Sequence, residues 1–249
     1  NGDGWELALR RTAPAGGARP GTRPVLIVHG YAMNSFIFGY HPRGTPMTRT
    51  MAATGLEVWT VDLRGAGQSR RKGPTPGHPS LWGYAEVDVT AAVAGVLDRT
   101  TTGADRVDAI GGSLGGSVLY AHLALRGAKH RLGSIVAIGS PLRWVDPHPA
   151  MRLLALSPEL LAQLRITGTR RLARMAVPFV RHVPFLLTPY MNAKHVDLNR
   201  AGQITRTIED PDPRLNRDLA RWLRGKDMVL AGTHVTAALG AVDRPLLVV

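Results

Sequence analysis

Val107-Asp108-Ala109-Ile110-Gly111-Gly112-Ser113-Leu114-Gly115-Gly116 is the stretch that decides the fold. A short apolar run, Val107 to Ile110, reads as a strand and ends at Gly111 and Gly112. Leu114 to Arg126 has helical length and closes at Gly127. The pentapeptide Gly111 to Gly115, Gly-x-Ser-x-Gly, therefore falls where a strand passes into a helix. A turn that sharp holds its serine in a strained backbone, and the flanking glycines let strand and helix approach without Cβ clashes. It pushes the Ser113 hydroxyl into the open, above helix N–H groups that lack acceptors and carry partial positive charge. Ser113 is thus the candidate nucleophile, and the Leu114 N–H is a candidate donor to an oxyanion.

Working outward, three more runs read as strands buried on both faces. Val25 to Val28 is bounded by Pro24 and by His29-Gly30, Val58 to Val61 ends at Asp62, and Ile135 to Ile138 ends at Gly139, Ser140 and Pro141. A strand from Trp5 to Arg11 opens the chain, before a loop rich in Pro and Gly. Val89, Ala92, Val93, Val96 and Leu97 recur on one helical face between the second buried strand and the third. Strand and helix alternate, which predicts an α/β fold with right-handed crossovers and a mainly parallel, doubly wound sheet.

From about residue 141 to 230 the strand signature gives way to Leu-rich helical segments interrupted by prolines, the pattern of an inserted helical lid. Its clearest helix takes Asp212 as N-cap and Pro213 as first residue, and stops at Gly225. Leu215, Leu219, Trp222 and Leu223 form its apolar face, and Arg214, Arg217, Arg221 and Arg224 a solvated one. A short helix over Val235 to Leu239 and a buried strand over Pro245 to Val249 return to the core. The expected organisation is 1–140 as the first part of the core, 141–230 as lid and 231–249 as the return.

The 249 residues carry 31 Lys plus Arg against 18 Asp plus Glu, a net charge of +13 that favours anionic partners. At 44% hydrophobic and 20% charged the chain can bury a core and is not a disordered tail. Aromatic residues are 6%, with no basic-aromatic cluster for stacking bases, so nucleic acid is not expected as a partner. The absence of Cys removes disulfides, thiolate metal sites and a cysteine nucleophile. No leader or apolar run of spanning length is read, which favours the cytoplasm.

His29-Gly30-Tyr31 follows the first buried strand, where the Tyr31 N–H can serve as a second oxyanion donor. His29 reads as an organiser of that loop. Asp146, beyond Ser140, is the one in-chain candidate for a catalytic acid, and its alternative role is a cap beside Pro147. His122, His130, His148, His182, His195 and His234 fall on helices or lid loops, and none is assigned as general base.

With these residues in place, the chain resembles the α/β-hydrolase fold from about Trp5 to Val249. The resemblance rests on His29-Gly30, on Asp62-Leu63-Arg64-Gly65-Ala66-Gly67-Gln68-Ser69, which is similar to the family's D-x-R-G-x-G-x-S loop, and on the turn Gly111 to Gly116. Gly115-Gly116 and the helix at Asp88 are similar to the lipase and polyhydroxyalkanoate synthase or depolymerase branches. The synthases use a Cys nucleophile, so a chain without Cys departs from them toward hydrolysis, and Gly112 departs from the His often found before the nucleophile. The resemblance implies a triad ordered Ser, acid, His, with acid and His expected beyond Val249. It implies a serine esterase or lipase working through an acyl-enzyme on Ser113, with no metal or organic cofactor. The alternatives are an acyltransferase or thioesterase on acyl-CoA-type substrates, and a non-catalytic binding protein of the same fold. The expected partner is a small-molecule acyl ester, with the lid pointing to contact with a lipid surface.

Overall fold

The computed structural model describes residues 1–147, 157–161, 163, 165–180, 182–183 and 197–249. Among them a six-stranded sheet is built from β1 (Ala8–Thr12), β2 (Val25–Val28), β3 (Val58–Asp62), β4 (Val107–Gly112), β5 (Leu132–Ile138) and β6 (Leu246–Val248). The strand order is β6-β5-β4-β2-β3-β1, with β1 antiparallel to β3 and every other pairing parallel. This is the α/β architecture expected from alternating strands and helices.

β2 lies at the middle of the sheet and is buried at all four positions. Its residues alternate between faces, as strand geometry requires. Leu26 and Val28 pack with α1 (Val89–Leu97) and α2 (Leu114–Arg126), whereas Val25 and Ile27 pack with Phe38, Met47 and Met51. Two covered faces explain why the central strands are continuous apolar runs rather than alternating ones. The predicted α1 face is buried at Val89, Ala92, Val93 and Val96.

Three details differ from the sequence expectation. The opening strand is divided at Leu7: Trp5–Glu6 pairs with Arg70–Arg71, while Ala8–Thr12 pairs with β3. The Ser69 hydroxyl accepts from the Ala8 N–H at 3.0 Å, where the chain changes partner. A π-helical turn, Gly83–Asp88, precedes α1. Finally, β6 is exposed rather than buried, because among the described residues it has β5 alone as neighbour; Leu247 is 57% exposed.

Beyond β5, helices α3 (Thr169–Val180) and α4 (Pro213–Gly225) belong to the segment read as lid. α4 begins as expected, with the Asp212 carboxylate accepting from the Arg214 and Leu215 N–H groups. Leu215, Trp222 and Leu223 are buried, and Arg214, Arg221 and Arg224 are exposed. Trp144 packs on Trp222 with ring centroids 5.4 Å apart, and its backbone N–H donates to Lys226 O at 2.9 Å, fastening the chain after β5 to α4. α5 (Val235–Leu239) returns to the core and packs on α2. No helix among the described residues is long and apolar enough to cross a membrane.

Candidate active site

Ser113 joins β4 to α2 with φ 52° and ψ −122°, a left-handed conformation that a non-glycine residue adopts only under strain. The packing around it explains why the turn cannot relax. A Cβ on Gly111 would collide with the Gly116 backbone, and one on Gly115 would stand 2.6 Å from the His29 carbonyl oxygen. The start of α2 is therefore wedged between its own strand and the end of β2. The glycines at 111, 115 and 116 are required by contact, not by φ, since none of them is left-handed.

Serine is a favoured N-cap because its hydroxyl can accept from the first helical N–H groups. Ser113 stands at the N-cap of α2 and makes no such bond. Its hydroxyl has no hydrogen-bond partner among the described residues, and the residue is exposed. The main chain is held instead: the Ser113 N–H donates to Ile138 O at 2.8 Å, and the Ser113 carbonyl accepts from the Gly116 N–H at 3.1 Å. The Leu114 N–H is the first of the helix, one of those that helix geometry leaves without an intrahelical acceptor.

The loop after β2 lies against this turn. A Cβ on Gly30 would be 3.2 Å from both Ser113 Cβ and Gly112 O, which brings the adjoining Tyr31 amide beside the serine. His29 shapes the loop, as expected. It is buried, its Nε2 accepts from the Leu63 N–H at 3.1 Å, and its Nδ1 therefore carries the proton and donates to Gly30 O at 2.9 Å. Burial lowers its pKa, against the Gly30 carbonyl and the Asp62 carboxylate, which raise it. A neutral ring with both nitrogens engaged organises backbone and is not free to take a proton.

The Asp62–Ser69 loop is structural too. Asp62 Oδ1 accepts from the Ser35 N–H at 2.8 Å, and Oδ2 from the Gln68 N–H at 2.9 Å. Gly65 and Gly67 are both left-handed, and a Cβ on Gly67 would strike the Asp62 carboxylate. Arg64, 1% exposed, is buried against Asp88 from the π-helical turn, with Nη2 to Oδ1 at 2.9 Å and the Arg64 N–H to Oδ2 at 2.9 Å.

Sequence reading missed Glu209. Its Oε1 accepts from the Gly67 N–H at 3.0 Å, from Asn34 Nδ2 at 2.5 Å and from Arg170 at 2.7 Å, and its own N–H donates to Ala32 O at 2.9 Å. Met33 and Ile208 form an antiparallel bridge beside it. One carboxylate thus ties the segment before α4 to the loop that borders Ser113 and to the Asp62–Ser69 loop. The available signal was an acidic cluster, Glu209-Asp210-Pro211-Asp212, in a strongly basic chain.

None of the described histidines is hydrogen-bonded to Ser113. Both ring nitrogens of His122 face backbone carbonyls, Ala85 O at 2.8 Å and His130 O at 3.0 Å. His130 is buried and accepts from the Leu132 N–H at 2.8 Å, and His234 lies in a two-residue hairpin strand. His182 is described but is not bonded to Ser113, while His148 and His195 lie outside the described residues. Asp146 is exposed in a bend after β5. A cavity of about 600 Å³ opens beside Tyr31 and continues past Gly65 and Ala66 to the start of α4; Ser113 borders its Gly30 end without lining it.

The family described as alpha/beta hydrolase fold matches residues 23–172. No curated protein sequence matches the chain. Among solved structures, a hydrolase from Pseudomonas aeruginosa is similar at 18% identity and a TM-score of 0.58, with 100% of this chain and 77% of the other covered. A lipase-esterase related protein from Clostridium acetobutylicum is similar at 16% identity and a TM-score of 0.58, over 97% and 78% of the two chains. The thioesterase domain of the curacin biosynthetic pathway is similar at 15% identity and a TM-score of 0.56, over 98% and 79%. With the family matched over more than half of its length and the sheet and turn arranged as above, the chain belongs to the α/β-hydrolase-fold family.

Proposed function

We propose that the chain is a serine hydrolase that cleaves carboxylic esters through an acyl-enzyme on Ser113. One observation carries this reading: an exposed serine at a helix N-cap, held at φ 52°, leaves its hydroxyl without a hydrogen-bond partner among the described residues instead of capping the helix. In the reaction, Ser113 Oγ attacks the ester carbonyl and loses its proton, while the carbonyl oxygen takes up negative charge. The Tyr31 and Leu114 N–H groups receive that oxyanion, the alcohol leaves with a proton, and water then releases the acid from Ser113. The proton acceptor in this reading is the histidine expected beyond Val249, with its carboxylate partner there or at Asp146. Thioester cleavage or acyl transfer is the second reading, favoured by the arginines in the cavity beside Tyr31.

The test is labelling of the full-length protein with a fluorophosphonate, alongside hydrolysis of 4-nitrophenyl esters. Wild type should label and turn over, and Ser113→Ala should do neither. A label that survives the substitution overturns the assignment.

Contact with a lipid surface is part of the same proposal, carried by α3. Leu172, Met175 and Phe179 are exposed along one strip of that helix, with Arg171 and Arg174 exposed beside them, a pattern suited to anionic headgroups. Co-sedimentation with phosphatidylglycerol vesicles should fall at least several-fold in Leu172→Ser/Phe179→Ser, and equal binding by wild type and variant overturns it.

A further inference from the structure

Three carboxylates and three arginines, among the described residues, line the cavity beside Tyr31, and their bonding is lopsided. The carboxylates are satisfied. Glu209 takes Arg170, Gly67 and Asn34, as described above. Asp210 accepts from the Gly168 N–H at 2.9 Å, and from the Thr169 N–H at 2.8 Å and hydroxyl. Asp212 caps α4 through the Arg214 and Leu215 N–H groups.

The arginines are not. Arg71 lies over the Trp5 ring at 5.6 Å and meets no carboxylate among the described residues. Arg165 and Arg214 are exposed, and the guanidinium of neither makes an ion pair or hydrogen bond there. A guanidinium presents a planar fork of donors that matches a carboxylate or phosphate in a bidentate pair. Inside a concavity the surrounding low-dielectric walls strengthen such a pair relative to open water. The cavity therefore offers unspent positive charge, while its negative groups are already turned toward other donors.

We propose that this cavity binds the anionic group, a carboxylate or a phosphate, of the acyl substrate. The proposal rests on the serine-hydrolase reading, because Gly30 and Tyr31 form one end of the cavity and border Ser113. A substrate with its carbonyl at Ser113 extends its anion past Gly65 toward Arg71, Arg165 and Arg214. The anion sits on the acyl side, as in a dicarboxylate half-ester, or on the leaving group, as in a phosphate-bearing thioester.

Calorimetric titration of the full-length protein and its Ser113→Ala variant with monomethyl succinate and with pyrophosphate tests this. Binding at or below about 1 mM is expected for at least one probe in both proteins. Tighter succinate binding assigns the anion to the acyl side, and tighter pyrophosphate binding to the leaving group. Arg165→Gln/Arg214→Gln should weaken binding at least tenfold. Arg19→Gln/Arg49→Gln, exposed arginines outside the cavity, should leave it unchanged. No binding by wild type, or equal weakening in both double variants, overturns the site. Binding without any ester or thioester turnover overturns the hydrolase reading instead and leaves the anion site in place, so the two failures are distinguishable.

Discussion

Gly115 lies under the carbonyl of His29: a Cβ at residue 115 would stand 2.6 Å from that oxygen and closer still to the carbonyl of Val28. Both obstacles are backbone at the end of the central strand, which cannot swing aside as a long side chain does. Gly115→Ala should therefore cost about 1–3 kcal/mol, in the range of overpacking a tight interior, although alanine is the better helix former. Denaturant unfolding measures it. Gly225→Ala, with none of the described residues within 4 Å of the added carbon, should stay within about 1 kcal/mol of wild type. Equal effects at the two positions would mean that α2 is not wedged against β2.

The strain at Ser113 makes a second prediction. Alanine keeps the left-handed penalty and glycine removes it, at the expense of a more flexible unfolded chain. A left-handed residue outside glycine costs about 1–3 kcal/mol, and the unfolded-state term opposes with about 0.5–1 kcal/mol. Ser113→Gly should thus unfold at higher denaturant than Ser113→Ala, by about 1 kcal/mol. The reverse order would show that the turn is unstrained.

These two positions also mark what could be read from sequence. Gly111 to Gly116 is legible because all its constraints are local: a strand ends, a helix begins, and the glycines between them have one packing reason. Val25 to Val28 and the Asp212-Pro213 helix start are legible for the same cause. Glu209 is not, since its partners Asn34 and Gly67 are 175 and 142 residues away in the chain, and periodicity carries no information at that range. The division at Leu7 and the exposure of β6 likewise depend on which strand lies alongside, which a single run of apolar residues does not encode. The π-helical turn Gly83–Asp88 has no pattern of its own in the sequence, although it delivers Asp88 to Arg64.

His130 should make the fold sensitive to mild acid. Burial first, and then the positive charges of His122, Arg244 and Arg106, push its pKa down from 6.5 to about 4. The folded protein thus holds this ring neutral where the unfolded chain protonates it. A group depressed in this way contributes stability fully above the unfolded pKa of about 6.5, and loses it as pH falls toward 4. Protonation would also turn Nδ1 from acceptor to donor against the Leu132 N–H. The thermal midpoint should fall between pH 7 and pH 4, and His130→Asn, whose side-chain oxygen can still accept, should flatten that fall. An unchanged slope in the variant would assign the acid sensitivity to other groups.

Glu209 predicts how the segment before α4 affects Ser113. Its carboxylate holds Asn34 on the loop that carries Tyr31, Gly67 on the neighbouring loop and Arg170 on α3, so it acts on Ser113 by positioning backbone. Glu209→Ala removes all three contacts and should slow fluorophosphonate acylation of Ser113 in the full-length protein about tenfold, a loss on the order of 1.4 kcal/mol. Asn34 keeps its bond to Arg206 O and its backbone bond to Thr207, so the loop should loosen rather than unfold, with a drop of a few degrees in thermal midpoint. Glu209→Gln retains an oxygen for the Gly67 N–H and gives up only the charge on Arg170, which is 41% exposed and can be hydrated. It should recover most of the acylation rate. A general loss of stability would slow both variants in proportion to their unfolding, whereas a positioning role separates them. Acylation of Glu209→Ala at the wild-type rate would mean that the loop holds its shape without the Glu209 carboxylate.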